Sequence, residues 1–366
     1  MALFSWFAAG SGNGKCMVRT GGGGRGGPGG GQFGRGCAPS GGTLDSARGF
    51  LNRDGMHKLL VWLLAFGCLA RFPAAAAAGR LRVDREPGAV LIRNAGGELL
   101  LRYQLERPVN SPLTVESGCY FHPLLTPNGV SLTDVAPADH LHHRGVFLGW
   151  VEMHGRKDAD FWGWGEQAPV KGRRILSKSV TGTWMRVGAA GFEARNEWQA
   201  DDDPLLQEEL EVEARVTGSA QVLELVYRLR TDEDLVLSRW AFGGFCVRGR
   251  KDGTVEVQSP AGVVSLADPV HTKPETDWPD AAWYDMVFKL PDGSVAGFAV
   301  ISHAKNPRTL WYNHRENRML NPAITAPGPV LFRAKKPVVL RYRVVAHDGP
   351  TPRELLRRLA ADWGKS

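Results

Sequence analysis

From Leu210 to Val216 apolar and charged residues alternate without a break: Leu210, Val212, Ala214 and Val216 are separated by Glu211, Glu213 and Arg215. Side chains two apart share a face only in an extended strand, so this period demands a sheet with one face buried and the other in water. The pattern recurs at Leu223, Leu225, Tyr227 and Leu229, and again at Leu340, Tyr342, Val344 and Ala346. Turn signals lie between apolar runs at hairpin spacing: "NAGGE" (94–98), "KDG" (251–253) and "PDG" (291–293). One helix is well marked. Thr351-Pro352-Arg353-Glu354 supplies an N-cap, a first-turn proline and a capping-box glutamate ahead of Leu355, Leu356, Leu359 and Trp363. Large open sheets tend to split into two packed layers. Residues 80–366 are therefore expected to form one all-β domain, a large two-layer antiparallel β-sandwich with a short C-terminal helix. No strand-to-helix G-x-G-x-x-G, P-loop or internal repeat is present, so nucleotide binding by those routes is not expected.

The first 79 residues read differently. Residues 1–55 hold 18 of the 45 glycines, including "GGGGRGGPGGG", with few apolar residues and no periodicity. Such a chain cannot bury enough surface to offset its entropy, and disorder is expected there. Residues 56–79 read "MHKLLVWLLAFGCLARFPAAAAAG": a methionine, a basic residue, an apolar run and then small residues, the order of a secretory signal peptide. We expect translation to start at Met56, residues 1–55 to be an over-extended gene start, and the mature protein to be periplasmic or extracellular. Six of the seven net positive charges fall before residue 80. The remainder is nearly neutral, which argues against a nucleic-acid partner. Past residue 79 no apolar stretch approaches the length of a membrane span. Cys119 and Cys246 remain after signal removal; their spacing leaves open whether they pair.

Candidate chemistry is concentrated. "DHLHHRG" (139–145) sets Asp139, His140, His142, His143 and Arg144 before a glycine, with His122 nearby in a segment rich in loop formers. If 139–143 were extended, His140 and His142 would share one face about 7 Å apart, with Asp139 and His143 on the other. "DADFWGWGE" (158–166) would likewise put Trp162 and Trp164 on one face, and "HAKNPRTLWYNHRENRMLNP" (303–322) adds His303, Asn306, Arg308, Trp311, His314 and Arg315. Flat rings beside imidazole, amide and guanidinium groups suit sugars, whose C–H faces stack on aromatics while hydroxyls need directional partners. The plainer alternative makes most tryptophans sandwich core and each single histidine a hydrogen-bonded structural residue.

The segments "YFHPLLTPNG" (120–129), "DHLHHRG", "DFWGWG" (160–165), "WYDM" (283–286), "HAKNPRTLWYNHR" (303–315) and "LRYRVVAHDG" (340–349), in that order, resemble a bacterial and fungal family of unknown function once labelled "methane oxygenase PmoA". A membrane oxygenase subunit does not fit a chain without a spanning segment. At fold level the resemblance implies a sandwich of the galactose-mutarotase type, with sugar bound on the sheet and histidines and carboxylates moving protons. The expectation is thus an exported carbohydrate-active protein, an enzyme using general acid–base chemistry as hydrolase, lyase or epimerase. A non-catalytic carbohydrate-binding protein and a metal-dependent hydrolase or oxygenase are the alternatives. In the first reading His142 or His143 donates a proton, Asp285 is the base or a stabilising carboxylate, and Asp139 orients a histidine. His122 and His140 complete the catalytic group. Arg144 and Arg315 hold substrate, Trp162 and Trp311 stack on it, and His303, Asn306, Arg308 and His314 line it. No cofactor is expected; a divalent metal, if bound, would take His140, His142 and His122. Segments 139–145 and 303–315 should form opposite walls of one cleft.

Overall fold

The computed structural model describes residues 80–266 and 278–363. The expectations for the glycine-rich segment and the signal peptide fall outside these residues.

Two antiparallel sheets dominate. In one, seven strands run in the order Arg82–Glu86, Ala89–Arg93, Leu99–Gln104, Tyr120–Leu124, Val146–Gly149, Gly244–Arg248 and Met319–Leu320. The other has nine: Gly262–Val263, Thr254–Ser259, Trp283–Lys289, Val295–Ser302, Val338–Asp348, Ala220–Arg230, Asp203–Thr217, Ala189–Ala200 and Arg173–Arg186. Alternate residues of both sheets meet in one apolar core, with Ile92, Tyr103, Phe121, Leu148, Phe245 and Val247 facing Phe192, Trp198, Leu210, Leu225, Met286 and Tyr342. Phe245 stacks on Tyr342 across the interface, ring centroids 4.0 Å apart. Each such side chain contributes about 1.5–3 kcal/mol on full burial, so the sandwich is held by this layer. The expected all-β class and two-layer arrangement are both present.

Local expectations divide. Leu210, Val212, Ala214, Leu223, Leu225, Tyr227 and Leu229 are buried as their period requires. "NAGGE" and "PDG" join neighbouring antiparallel strands. "KDG" does not close a hairpin: it carries the chain from Gly244–Arg248 in one sheet to Thr254–Ser259 in the other. Val338–Asp348 was expected to bury one face but buries both, because the helix Arg353–Trp363 covers its second face: Arg343 lies 4.2 Å over the Trp363 ring and donates to Leu359 O. That helix starts as predicted, yet the Thr351 hydroxyl makes no cap bond and Glu354 pairs with Arg357 instead. Cys119 and Cys246 are free thiols. Among the described residues no helix is long and apolar enough to cross a membrane.

A second apolar cluster lies on the outer face of the seven-stranded sheet, where Tyr120, Phe147 and Cys246 point away from the main core and meet Trp162, Phe242, Tyr312 and Met319. The loops that carry the histidines close over this cluster.

Candidate functional site

Segment 136–145 is a pair of turns. His140 N donates to Pro137 O (2.8 Å), His143 N to His140 O (3.0 Å) and Ala136 N to His143 O (2.8 Å). The expected extended alternation is therefore absent. Instead all three rings gather: His140 stacks on His143 at 4.7 Å, His142 meets His143 edge-on at 4.5 Å, and His140 and His142 are 5.6 Å apart. Gly145 ends the run for a steric reason. Its φ is +59°, and a Cβ there would sit 2.0 Å from Phe121 O.

Arg248, on the strand Gly244–Arg248, locks the cluster from beneath. Its fully buried guanidinium donates from Nη1 to His143 Nδ1 (2.9 Å) and from Nη2 to both oxygens of Asp139 (3.1 Å each). Lys251 Nζ adds a 2.6 Å bond to Asp139 Oδ2. His140 Nδ1 lies 3.1 Å from the same oxygen without hydrogen-bond alignment. Burial works to raise the Asp139 carboxyl, but Lys251, Arg248 and His140 outweigh it and hold the group well below the usual carboxylate range. The imidazoles go the other way. Burial, then His140, Arg144 and Arg248, bring His142 down to about 3. Burial with His142 and Arg248 lowers His143, and burial lowers His140 against the pull of Asp139. Each ring is thus shifted toward its uncharged form, whereas His142 or His143 was expected to donate a proton.

Arg144 was expected to hold substrate. It is instead fully buried, donating from Nη2 to Phe161 O (2.9 Å) and from Nη1 to His142 O (3.3 Å) while lying 4.4 Å over the Phe147 ring. Among the described residues no carboxylate comes within ion-pair distance of it, and burial lowers it to about 10. It ties the histidine turn to the loop 160–165. Asp160 organises that loop by accepting from Gly163 N (2.7 Å) and Gly165 N (2.6 Å). Burial, partly offset by these amides, pushes Asp160 up to about 6. A Cβ on Gly163 would lie 2.5 Å from His142 Cβ, so glycine lets the loop rest on the histidine. The loop is bent rather than extended. Trp162 is buried against Phe242 (5.6 Å), and half-buried Trp164 packs on the same ring (5.5 Å).

A groove of about 600 Å³ opens beside the cluster, walled by Asp139, His140, His142, Trp164, Glu116 and Lys171. Next to it a cavity of about 20 Å³ lies among His140, His142, His143, Trp162, Phe242 and Tyr312. Segment 303–315 splits around this point. Tyr312 lines the cavity, His314 lies 6.5 Å from Tyr312, and Asn317 Nδ2 is 3.5 Å from His140 Nε2, so the two walls do meet, through 312–319. His303, Asn306 and Arg308 line a separate 510 Å³ pocket with Trp363. Trp311 is sandwich core, donating to Ala281 O, and Arg315 donates to Val264 O. The expected single wall over 303–315 is broken because Leu310–Trp311 pairs with Pro322–Ala323 and turns inward.

Two further candidates stand apart. His122 bonds Thr133 Oγ1 (3.0 Å) and shares no ring contact with the other three. Asp285 is fully buried against His347 Nε2 (3.0 Å), on the face of the nine-stranded sheet that the helix covers, so it does not reach the histidines. Among the described residues no three His, Cys, Asp or Glu side chains converge in a metal-holding arrangement. The sequence reading missed Arg248 and Lys251, because nothing local marks them: Arg248 is 105 residues from His143. Phe242 and Asn317 were missed likewise. Trp164 was visible in the "WGW" repeat.

The chain belongs to a family of unknown function (DUF6807), whose profile matches residues 92–361. No curated protein matches it. Among solved structures it is similar to a GH36 alpha-galactosidase from Geobacillus stearothermophilus, with 10% identity, 72% of this chain and 40% of that one covered, and a TM-score of 0.36. It is also similar to a galactose mutarotase related enzyme from Lactobacillus acidophilus, with 8% identity, 73% and 97% covered, and a TM-score of 0.33. The chain thus spans two fifths of the length of the galactosidase it matches.

Proposed function

We propose that this protein is a carbohydrate-active enzyme whose groove beside His140, His142 and Trp164 takes a sugar, and whose neutral imidazoles act as general base. The observation that supports it is the gathering of three imidazole rings, centroids 4.5–5.6 Å apart, at the mouth of a groove with an indole in its wall. An uncharged imidazole beside a bound sugar is the form that can take a proton in epimerisation or elimination. Glycoside hydrolysis by a carboxyl pair has less support: Asp139 is committed to Arg248 and Lys251, and Glu116 to Gly172 N. Asp139 acts through Arg248, fixing the positions of the rings. The signal-like segment 56–79 supports action outside the cytoplasm.

Incubation of the full chain with a panel of glycans in deuterated water, followed by proton NMR, tests this. Deuterium entry, epimer or unsaturated product, lost in His142→Gln, is expected. Tight glycan binding with no turnover would favour the non-catalytic reading, and no binding to any glycan would contradict both.

A further inference from the structure

We propose that the pocket of about 510 Å³ beside the C-terminal helix is a second carbohydrate site, holding a neutral sugar unit between Asp280 and Arg308. Three parts of the chain build it: residues 280–282, a stretch within 301–311, and the end of the helix at Ala360 and Trp363. None of the three clustered histidines lines it. Its size lies in the range of small-molecule sites.

The segment "HAKNPR" (303–308) serves this pocket rather than the histidine cluster. His303 and Asn306 are buried and committed to one turn. His303 Nδ1 accepts from Lys305 N (2.9 Å), and the ring also bonds the Trp363 main chain. Asn306 donates to Ser302 Oγ (3.2 Å) and Arg341 O (2.9 Å) and accepts from Arg341 N (2.8 Å). That turn delivers Arg308 to the pocket. The Arg308 guanidinium and the Asp280 carboxylate are both exposed, and among the described residues neither makes a hydrogen bond or ion pair.

Two hydroxyls complete the polar lining. Ser302 Oγ accepts from Asn306, which leaves its hydrogen to donate; Thr309 donates to Pro307 O (2.9 Å), which leaves its oxygen to accept. The pocket thus offers two donors, Arg308 and Ser302, and two acceptors, Asp280 and Thr309, around the apolar side chains of Ile301, Leu310, Trp311 and Trp363. A sugar hydroxyl can accept from a guanidinium and donate to a carboxylate, whereas a carboxylate ligand meets only the first and an ammonium only the second. The C–H faces of the same ring match the apolar lining.

Ligand-observed NMR titration of the full chain tests this with methyl α- and β-D-glucopyranoside, methyl α- and β-D-galactopyranoside, cellobiose and lactose, beside glucuronate and L-alanine as charged ligands. At least one neutral glycoside is expected to bind, and to bind about tenfold more weakly to Arg308→Ala and to Asp280→Asn, in line with lost hydrogen bonds to charged groups. Both side chains are exposed and without partners among the described residues, so thermal unfolding should not change. Neutral glycosides binding equally well to both variants and to the unaltered protein would overturn this inference and leave the groove reading standing. Binding of glucuronate or L-alanine alone would overturn the choice of a neutral sugar. Failure of every ligand to bind would overturn the pocket and the groove reading alike.

Discussion

Arg248 Nη1 donates to His143 Nδ1 across 2.9 Å, joining positions 105 residues apart and fixing the proton of the inner ring on Nε2. The same guanidinium holds Asp139, so one buried side chain carries both the tautomer of the inner ring and the anion outside it.

Replacing it separates these effects. Arg248→Met keeps most of the volume but leaves Asp139 with only Lys251 and the His140 ring, and His143 Nδ1 without its donor. We expect a loss of about 3 kcal/mol in chemical denaturation, in the range for breaking a buried pair from one side. A loss under about 1 kcal/mol would show that Arg248 is not what holds the turn.

The glycine that ends "DHLHHRG" makes a sharper case. Gly145→Ala puts a methyl 2.0 Å from a main-chain oxygen at a φ of +59°, and neither atom can move aside cheaply. The expected cost is about 2–4 kcal/mol in thermal or denaturant unfolding. A neutral substitution would contradict the close approach of the turn to Phe121.

The sandwich core carries its own pH dependence. Glu208 lies between the sheets, accepting from Asn196 Nδ2 (2.7 Å) and Trp198 Nε1 (2.8 Å), and burial, partly opposed by these bonds, raises it from 4.5 to about 7. Between those values the folded chain binds more protons than the unfolded one, so this group's contribution declines as pH rises from about 4.5 and levels off above about 7. Glu208→Gln, whatever its absolute stability, should remove that slope, worth about 3 kcal/mol. Denaturation curves between pH 5 and 8 that stay parallel for the two proteins would contradict it. Lowered His142 acts in the opposite sense: its contribution is full above about 6.5 and is lost as pH falls toward about 3.

What the sequence displayed and what it hid divide along physical lines. Period-two runs depend on each strand alone, so Leu210–Val216 and Leu223–Leu229 were legible. Burial of both faces of Val338–Asp348 depends on a helix packing back, which leaves no local trace. The histidine cluster announced itself by density, but its geometry did not, because turn bonds from His140 to Pro137 and from His143 to His140 replaced the extended backbone that alternation assumes. Asp285 looked catalytic in "WYDM" and proved to be paired with His347 under the helix, a partner 62 residues away.

The rings also bear on metal. His122 is held by Thr133, and His143 Nδ1 is filled by Arg248, which leaves His140 and His142 as imidazole donors. Elemental analysis of the purified protein is expected to find zinc, iron and copper well below one per chain. Stoichiometric metal lost on combining His140→Ala with His142→Ala would contradict the general-base account and favour metal-assisted chemistry.

The central claim, that the clustered imidazoles are uncharged bases at working pH, is tested most directly by titrating the histidine rings by NMR. His154 supplies an internal reference, since its bonds to Asp158 and Glu152 outweigh burial and raise it above the ordinary imidazole value. The account predicts that His154 titrates above the ordinary imidazole value and His140 and His143 below it, with His142 titrating only near 3. Protonation of His142 at the ordinary value of 6.5 would contradict it.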